Sequence, residues 1–134
     1  MLVIPTYIEK SEIDGLGLFA AKDIESGSIT WYLDPSIDLV VPKDIFENVL
    51  SVFKNDEQVE RLKRWSYTRN NDIIVCVDNA KFINHSNTPN TKHEGQYDIA
   101  MRDIAKGEEI TADYRQFEDD PSEVEKSVFE ENKE

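Results

Sequence analysis

The apolar residues of this chain come in short runs that turn residues keep cutting off, and only one stretch departs from that pattern. Residues 2–8, Leu18 to Ala21, Ile29 to Leu33, Ile37 to Val41, Ile73 to Val77, Tyr97 to Met101 and Glu109 to Ala112 are rich in β-formers and bounded by Gly, Pro, Ser and Asn. Runs of that length between turn signals read as strands. Between about 43 and 65 the apolar period lengthens from two to about 3.6. Ile45, Val49, Leu50 and Phe53 then share one face of a helix over 43–54. Val59 and Leu62 carry a second, shorter helix up to Trp65, its Lys and Arg on a solvated face. The expectation is a mostly β domain with short helices.

Two features break the strand pattern. Asn84-His85-Ser86-Asn87-Thr88-Pro89-Asn90 reads as irregular, because small polar residues and proline favour turns over ladders. Ala21-Lys22-Asp23-Ile24 with Gly27 echoes Met101-Arg102-Asp103-Ile104 with Gly107. Both read as strand, glycine turn, strand, so Tyr97–Met101 and Glu109–Ala112 are expected to join across Lys106-Gly107. Reused turn chemistry or an old duplication would each explain the echo.

Charge bounds the partners. The 134 residues suit one domain; they carry 28 acidic and 15 basic side chains, a formal charge of −13. That surplus argues against binding nucleic-acid phosphates or an anionic membrane, and it would steer in a basic partner. Residues 118–134 hold eight acidic and two basic side chains, so close to half of the surplus is an acidic tail. Ser122 and Glu125 make a capping box there, ahead of a short helix. Cys76 is the only cysteine, which fits a reducing compartment and forbids a disulfide or cysteine-based zinc site within the chain. No apolar run approaches the roughly 20 residues of a membrane span, and Met1–Pro5 has no signal-peptide pattern.

Taken one at a time, the chemistry-bearing residues are bland. Gly15 and Gly17 make a tight turn, lacking the further residues of a dinucleotide or phosphate loop. His85 and His93 lack a partner at metal-ligand spacing, and Ser86 has no nucleophile elbow. Tyr114 ends a strand as many core tyrosines do. Their order along one short chain is more telling. Ser11-x-Ile13-x-Gly15-x-Gly17-Leu18-Phe19-Ala20, then Lys81-Phe82-Ile83-Asn84-His85-Ser86-x-x-Pro89-Asn90, then Asp103-Ile104-x-x-Gly107-Glu108-Glu109-Ile110-Thr111-x-Asp113-Tyr114 resemble the successive signatures of the SET-domain family, mostly protein-lysine methyltransferases using S-adenosylmethionine.

The resemblance covers about residues 3–117 and implies a β-clip fold of short curved sheets with a C-terminal pseudoknot, in which the Asn84-His85 segment meets the Tyr114 region. It implies one SET domain over 1–117 with a helical insert at about 43–65 that reads the substrate, followed by the tail. The main chain at Leu16, Gly17 and Leu18 would hold the methionine end of the cofactor, Asn84 its amino-acid or ribose part, and the His85 main chain its adenine. The His85 side chain would brace the pseudoknot. Tyr114 would face the transferring methyl and the amine. Tyr67 would be a second catalytic or channel tyrosine, and Ala112 and His93 would line the substrate channel. Trp65 and Phe117 are candidates for the channel or adenine wall. Tyr67, Trp65 and Phe117 also read as core packing.

S-adenosylhomocysteine would be the product, no metal is expected, and the partner would be a basic protein such as a histone, ribosomal or nucleoid protein. The location would be intracellular: cytoplasmic in a bacterium, nuclear for a eukaryotic or viral histone modifier. Two departures from the family stand out. No cysteine-rich segment follows Tyr114, so Phe117, the 122–132 helix or a second copy in a homodimer must close the site. Ala112 replaces the usual Phe or Tyr, which implies a roomier channel and di- or trimethylation. A catalytically inactive SET-fold binding module is the competing reading; retention of Asn84, His85 and Tyr114 argues against it.

Overall fold

A computed structural model describes residues 1–116. The tail and its expected helix, and Phe117, lie outside the described residues. β1 (Thr6–Lys10) and β2 (Leu16–Ala20) form an antiparallel pair. β3 (Ile29–Tyr32) and β4 (Leu39–Pro42) follow, then α1 (Lys43–Val52) and α2 (Asp56–Arg64). β5 (Ser66–Arg69), β6 (Asp72–Val75), β7 (Asn84–His85), β8 (Thr91–Glu94), β9 (Tyr97–Ala100) and β10 (Thr111–Ala112) complete the order. The strands make four small sheets: β1-β2, β3-β9-β8, β4-β6-β5 and β10-β7. Mostly β with two short helices is therefore what the chain adopts. Among the described residues no helix is long and apolar enough to cross a membrane.

The largest apolar cluster holds Leu18, Ala20, Ile24, Ala100, Ile104 and Ile110, with Ile4, Ile8 and Phe82 packed on it. At its centre Ile24 and Ile104 exchange both backbone hydrogen bonds, at 2.8 and 2.9 Å. The two echoed segments thus pair with each other.

Three expectations need correction. The stretch 84–90 is not wholly irregular: Asn84 and His85 pair in parallel with Thr111 and Ala112. Buried Asn90 makes this possible, donating from Nδ2 to the Glu109 carbonyl at 2.8 Å and accepting the Thr111 N–H at 2.9 Å. Second, Tyr97–Met101 and Glu109–Ala112 do not form a hairpin across Gly107. β9 pairs with β3 and β8, whereas β10 pairs with β7, because the glycine turn redirects the chain against the other copy of the motif. Third, the proposed core face of α1 points outward. Phe46 is its buried residue and Leu50, one turn on, is half-buried, while Ile45, Val49 and Phe53 are exposed. A helix with apolar residues around most of its circumference can bury only one stripe.

The α2 helix starts at Asn55, whose side chain accepts the Gln58 N–H at 3.2 Å. Acidic residues fill its first turn and basic ones its last, as its dipole favours. Its basic face is not merely solvated: Arg64 pairs with Asp14 of the β1–β2 turn.

Candidate active site

Three distant segments are tied together by one carboxylate. Glu109 accepts hydrogen bonds from Ser11 Oγ at 2.8 and 2.9 Å and from Asn84 Nδ2 at 2.8 Å. Asn84 Nδ2 also lies 3.0 Å from the Asp14 carbonyl and 3.2 Å from that of Leu16. Gly17 sits beneath this knot, and a Cβ there would overlap the Glu109 carboxylate. Its missing side chain thus makes room for Glu109. Gly15, with φ of +47°, closes the turn by accepting the Ser11 N–H at 2.9 Å. Leu16 is half exposed, whereas the Leu18 side chain is fully buried in the core, so only the main chain of Leu18 is left to meet a ligand.

His85 holds Tyr114. Its Nδ1 accepts the Tyr114 N–H at 3.1 Å, and its Nε2 stands 3.1 Å from Asn87 Oδ1. One ring nitrogen thus accepts from the main chain while the other faces a side-chain oxygen. The two rings tilt against each other with centroids 5.4 Å apart. The Tyr114 hydroxyl donates to the Ile83 carbonyl, just before β7. The 84–90 segment and the Tyr114 region therefore do meet. Arg115 forks onto Asp113 at 2.8 Å through two nitrogens, holding that carboxyl below its ordinary range.

Beside Tyr114 lies a cavity of about 90 Å³. Trp31, Trp65 and Tyr67 supply aromatic walls, and Ala112, Ile83 and Tyr114 line it as well. Burial pushes the Tyr67 phenol well up, so it stays protonated. Burial likewise pushes the Cys76 thiol, also in the wall, up to about 12, which leaves it unreactive near neutral pH. Lys81 stands 4.4 Å over the Trp65 ring, and Arg64 adds a second cation to the lining.

The structure brings Tyr67, Trp65, Ala112 and Tyr114 to one space. His93 stands one layer behind, its Nδ1 2.6 Å from Asp98 Oδ1, and it is Asp98 that lines the cavity. The sequence reading missed Trp31, Ile83, Asp98 and Glu109. Asp98 carried no signal: alternation groups apolar Tyr97, Ile99 and Met101 on one face, yet the structure buries Asp98 and Ala100 and leaves Tyr97 exposed.

The SET-domain family model matches residues 15–115. The chain belongs to the SET-domain family. It is 33% identical over 120 residues to the variant-silencing SET domain-containing protein of Plasmodium falciparum, covering 80% of this chain and 5% of that one. It is 29% identical over 127 residues to histone-lysine N-methyltransferase 2D of Homo sapiens, covering 88% of this chain and 2% of the relative. The chain thus spans only a small fraction of these curated relatives. Among solved structures it is similar in fold to a Plasmodium falciparum candidate histone methyltransferase, with a TM-score of 0.57 at 22% identity, covering 83% of this chain and 93% of that one.

Proposed function

We propose that this SET domain transfers a methyl group from S-adenosylmethionine to the side-chain amine of lysine in a basic protein, leaving S-adenosylhomocysteine. The observation that carries the reading is a cavity bordered together by Tyr114, Ile83, Ala112 and aromatic walls. Relatives named as histone-lysine N-methyltransferases support lysine as the acceptor, and the acidic surplus supports a basic partner.

The residues present fit the cofactor. The Asp14 and Leu16 carbonyls converge on the Asn84 amide, a set of donors and acceptors suited to an amino-acid end. The main chain of Leu16, Gly17 and Leu18, with Asn84, would hold that end, and the His85 main chain the adenine. S-adenosylmethionine supplies an electrophilic methyl on a sulfonium. With the cofactor bound, the Tyr114 hydroxyl and Ile83 carbonyl would offer oxygens to a polarised methyl through weak C–H···O contacts. His85 keeps Tyr114 in place through its backbone N–H.

The acceptor must be a neutral amine. Deprotonating lysine of pKa ~10.4 at pH 7 costs about 4.6 kcal/mol. The apolar surfaces of Trp31 and Trp65 favour the neutral form, and protonated Tyr67 can donate to or accept from it. Alignment and electrostatics supply the remaining rate.

Calorimetry with S-adenosylmethionine should show binding, and Tyr114→Phe should reduce transfer at least 100-fold while leaving that affinity within about threefold. Absence of binding at high micromolar cofactor would remove the reading. Equal loss of binding and transfer would mean that Tyr114 holds the cofactor and is not at the methyl.

A further inference from the structure

Asp98 is a carboxylate where the fold asks for an apolar side chain. The two echoed segments are related by a pseudo-twofold that maps residue i of the first onto i+80 of the second, Ile24 onto Ile104 and Ala20 onto Ala100. On the inward faces Ala20 and Ala100 are 0% and 1% exposed. The counterpart of Asp98 under the same relation is Leu18, 0% exposed in the core. Packing alone would fill position 98 as it fills 18. Asp98 is instead 6% exposed and lines the cavity that also holds Tyr114.

A buried charge must have a partner. Asp98 Oδ1 lies 2.6 Å from His93 Nδ1, and among the described residues no other side chain hydrogen-bonds its carboxylate. The surrounding wall is similarly incomplete. The indole N–H of Trp31, 3% exposed, has no partner among the described residues. The other titratable and charged groups facing Asp98 are Arg69 and Tyr67 on β5, Cys76 after β6, and the Met1 amino group. Tyr67 and Cys76 are held protonated by burial, so Asp98 is the one carboxylate among the cavity-lining residues. The basic side chains of the lining, Lys81 and Arg64, offer no carboxylate oxygen.

We propose that Asp98, positioned by His93, receives the ammonium of the side chain that enters this cavity and takes its proton. The proposal rests on the lysine reading above and adds the acceptor that reading lacks. One N–H bond of the ammonium breaks, its electron pair stays on nitrogen, and the proton is bound by the Asp98–His93 pair. In the transfer that follows, the N–C bond forms as the C–S bond breaks. The bound proton returns to water after product leaves. Burial raises the Asp98 carboxyl above its ordinary range, which brings its basicity nearer that of the group it must deprotonate.

Two measurements on the full chain test this. The first needs no turnover: n-butylammonium chloride is titrated at pH 7 while the indole N–H signals of the two tryptophans are followed by NMR. The Trp31 signal should shift in the wild type, and Asp98→Asn should weaken that response at least tenfold; an undiminished response in Asp98→Asn overturns the proposal. The second is the pH profile of kcat/KM. Asp98→Asn should lose about 100-fold at pH 7 and recover as pH rises toward the lysine pKa, with S-adenosylhomocysteine affinity unchanged. A profile parallel to the wild type's overturns the proton-accepting role even where the ammonium response is lost. A wild type that binds n-butylammonium through Asp98 yet transfers no methyl would sink the methyltransferase reading and leave the cation site standing. Should Asp98→Asn fail to fold, Asp98→Ser serves the same two measurements.

Discussion

At the scale of the residue, position 98 sets function against stability. Folding raises the Asp98 carboxyl above its unfolded value, chiefly through burial. A group shifted in that direction contributes stability fully below its unfolded pKa and loses it as pH rises through the folded one. Wherever it is ionised, the buried carboxylate is therefore a net burden, eased by His93. Asp98→Asn should raise the melting temperature at pH 7 by about 4 °C, the equivalent of roughly 1 kcal/mol, with the gain shrinking toward pH 4. Scanning calorimetry at the two pH values reads this directly; a loss of stability at pH 7 would mean that the His93 pair outweighs desolvation. Ala112 is the other telling residue. It is 3% exposed, lines the cavity, and pairs through its strand with His85. A larger ring there would take up space beside Tyr114. Ala112→Phe should shift the products from di- or trimethyl-lysine toward monomethyl-lysine, read by mass spectrometry of a methylated substrate. An unchanged distribution would show that the channel's width is set elsewhere.

Elements show which parts of the sequence could be read and which could not. The strand at Tyr97 to Met101 was legible to within a residue from its β-formers, but its faces were not, since Tyr97 and Met101 are exposed while Asp98 and Ala100 are buried. Both helices were legible from their period, whereas the start of α2 at its Asn55 cap is shown by the structure. The inward stripe of α1 was not, because Ile45, Val49 and Phe53 outnumber Phe46 as an apolar set although they face out. Periodicity says that a face exists but not which tertiary neighbour covers it. β7 and β10 are two residues each, too short for any pattern, and they exist only because Asn90 and Thr111 tie the chain across. The candidate site divides in the same way. Tyr114, Tyr67, Trp65 and Ala112 converge on one cavity, and they were marked by the family resemblance and not by any one of them alone. Glu109 and Asp98 were passed over because their roles depend on partners far away in sequence: Ser11 and Asn84 for one, the cavity for the other.

For the whole molecule, the pseudo-twofold explains why a chain of such short strands holds together. Bonds across its centre come in matched pairs. The Gly27 N–H donates to the Ala100 carbonyl and the Gly107 N–H to that of Ala20, both at 2.8 Å. Asp103 Oδ1 accepts the Ser26 N–H and Asp23 Oδ1 the Lys106 N–H, again both at 2.8 Å. Each aspartate thus caps the turn of the other copy, so neither copy closes without its mate. Symmetry then gives a core in which the two halves do equal structural work, while the site arises where they differ, at Leu18 against Asp98. Equal work has a measurable consequence. Asp23→Ala and Asp103→Ala each remove one exposed carboxylate-to-amide hydrogen bond of the same length from equivalent turns. Each should lower unfolding stability by about 0.5–1.5 kcal/mol, and the two losses should agree within roughly 0.5 kcal/mol. Urea denaturation of the two variants beside the wild type provides the comparison. A large loss at one position with none at the other would show that one turn holds the molecule together alone, and that the twofold is a resemblance of shape without an equivalence of energy.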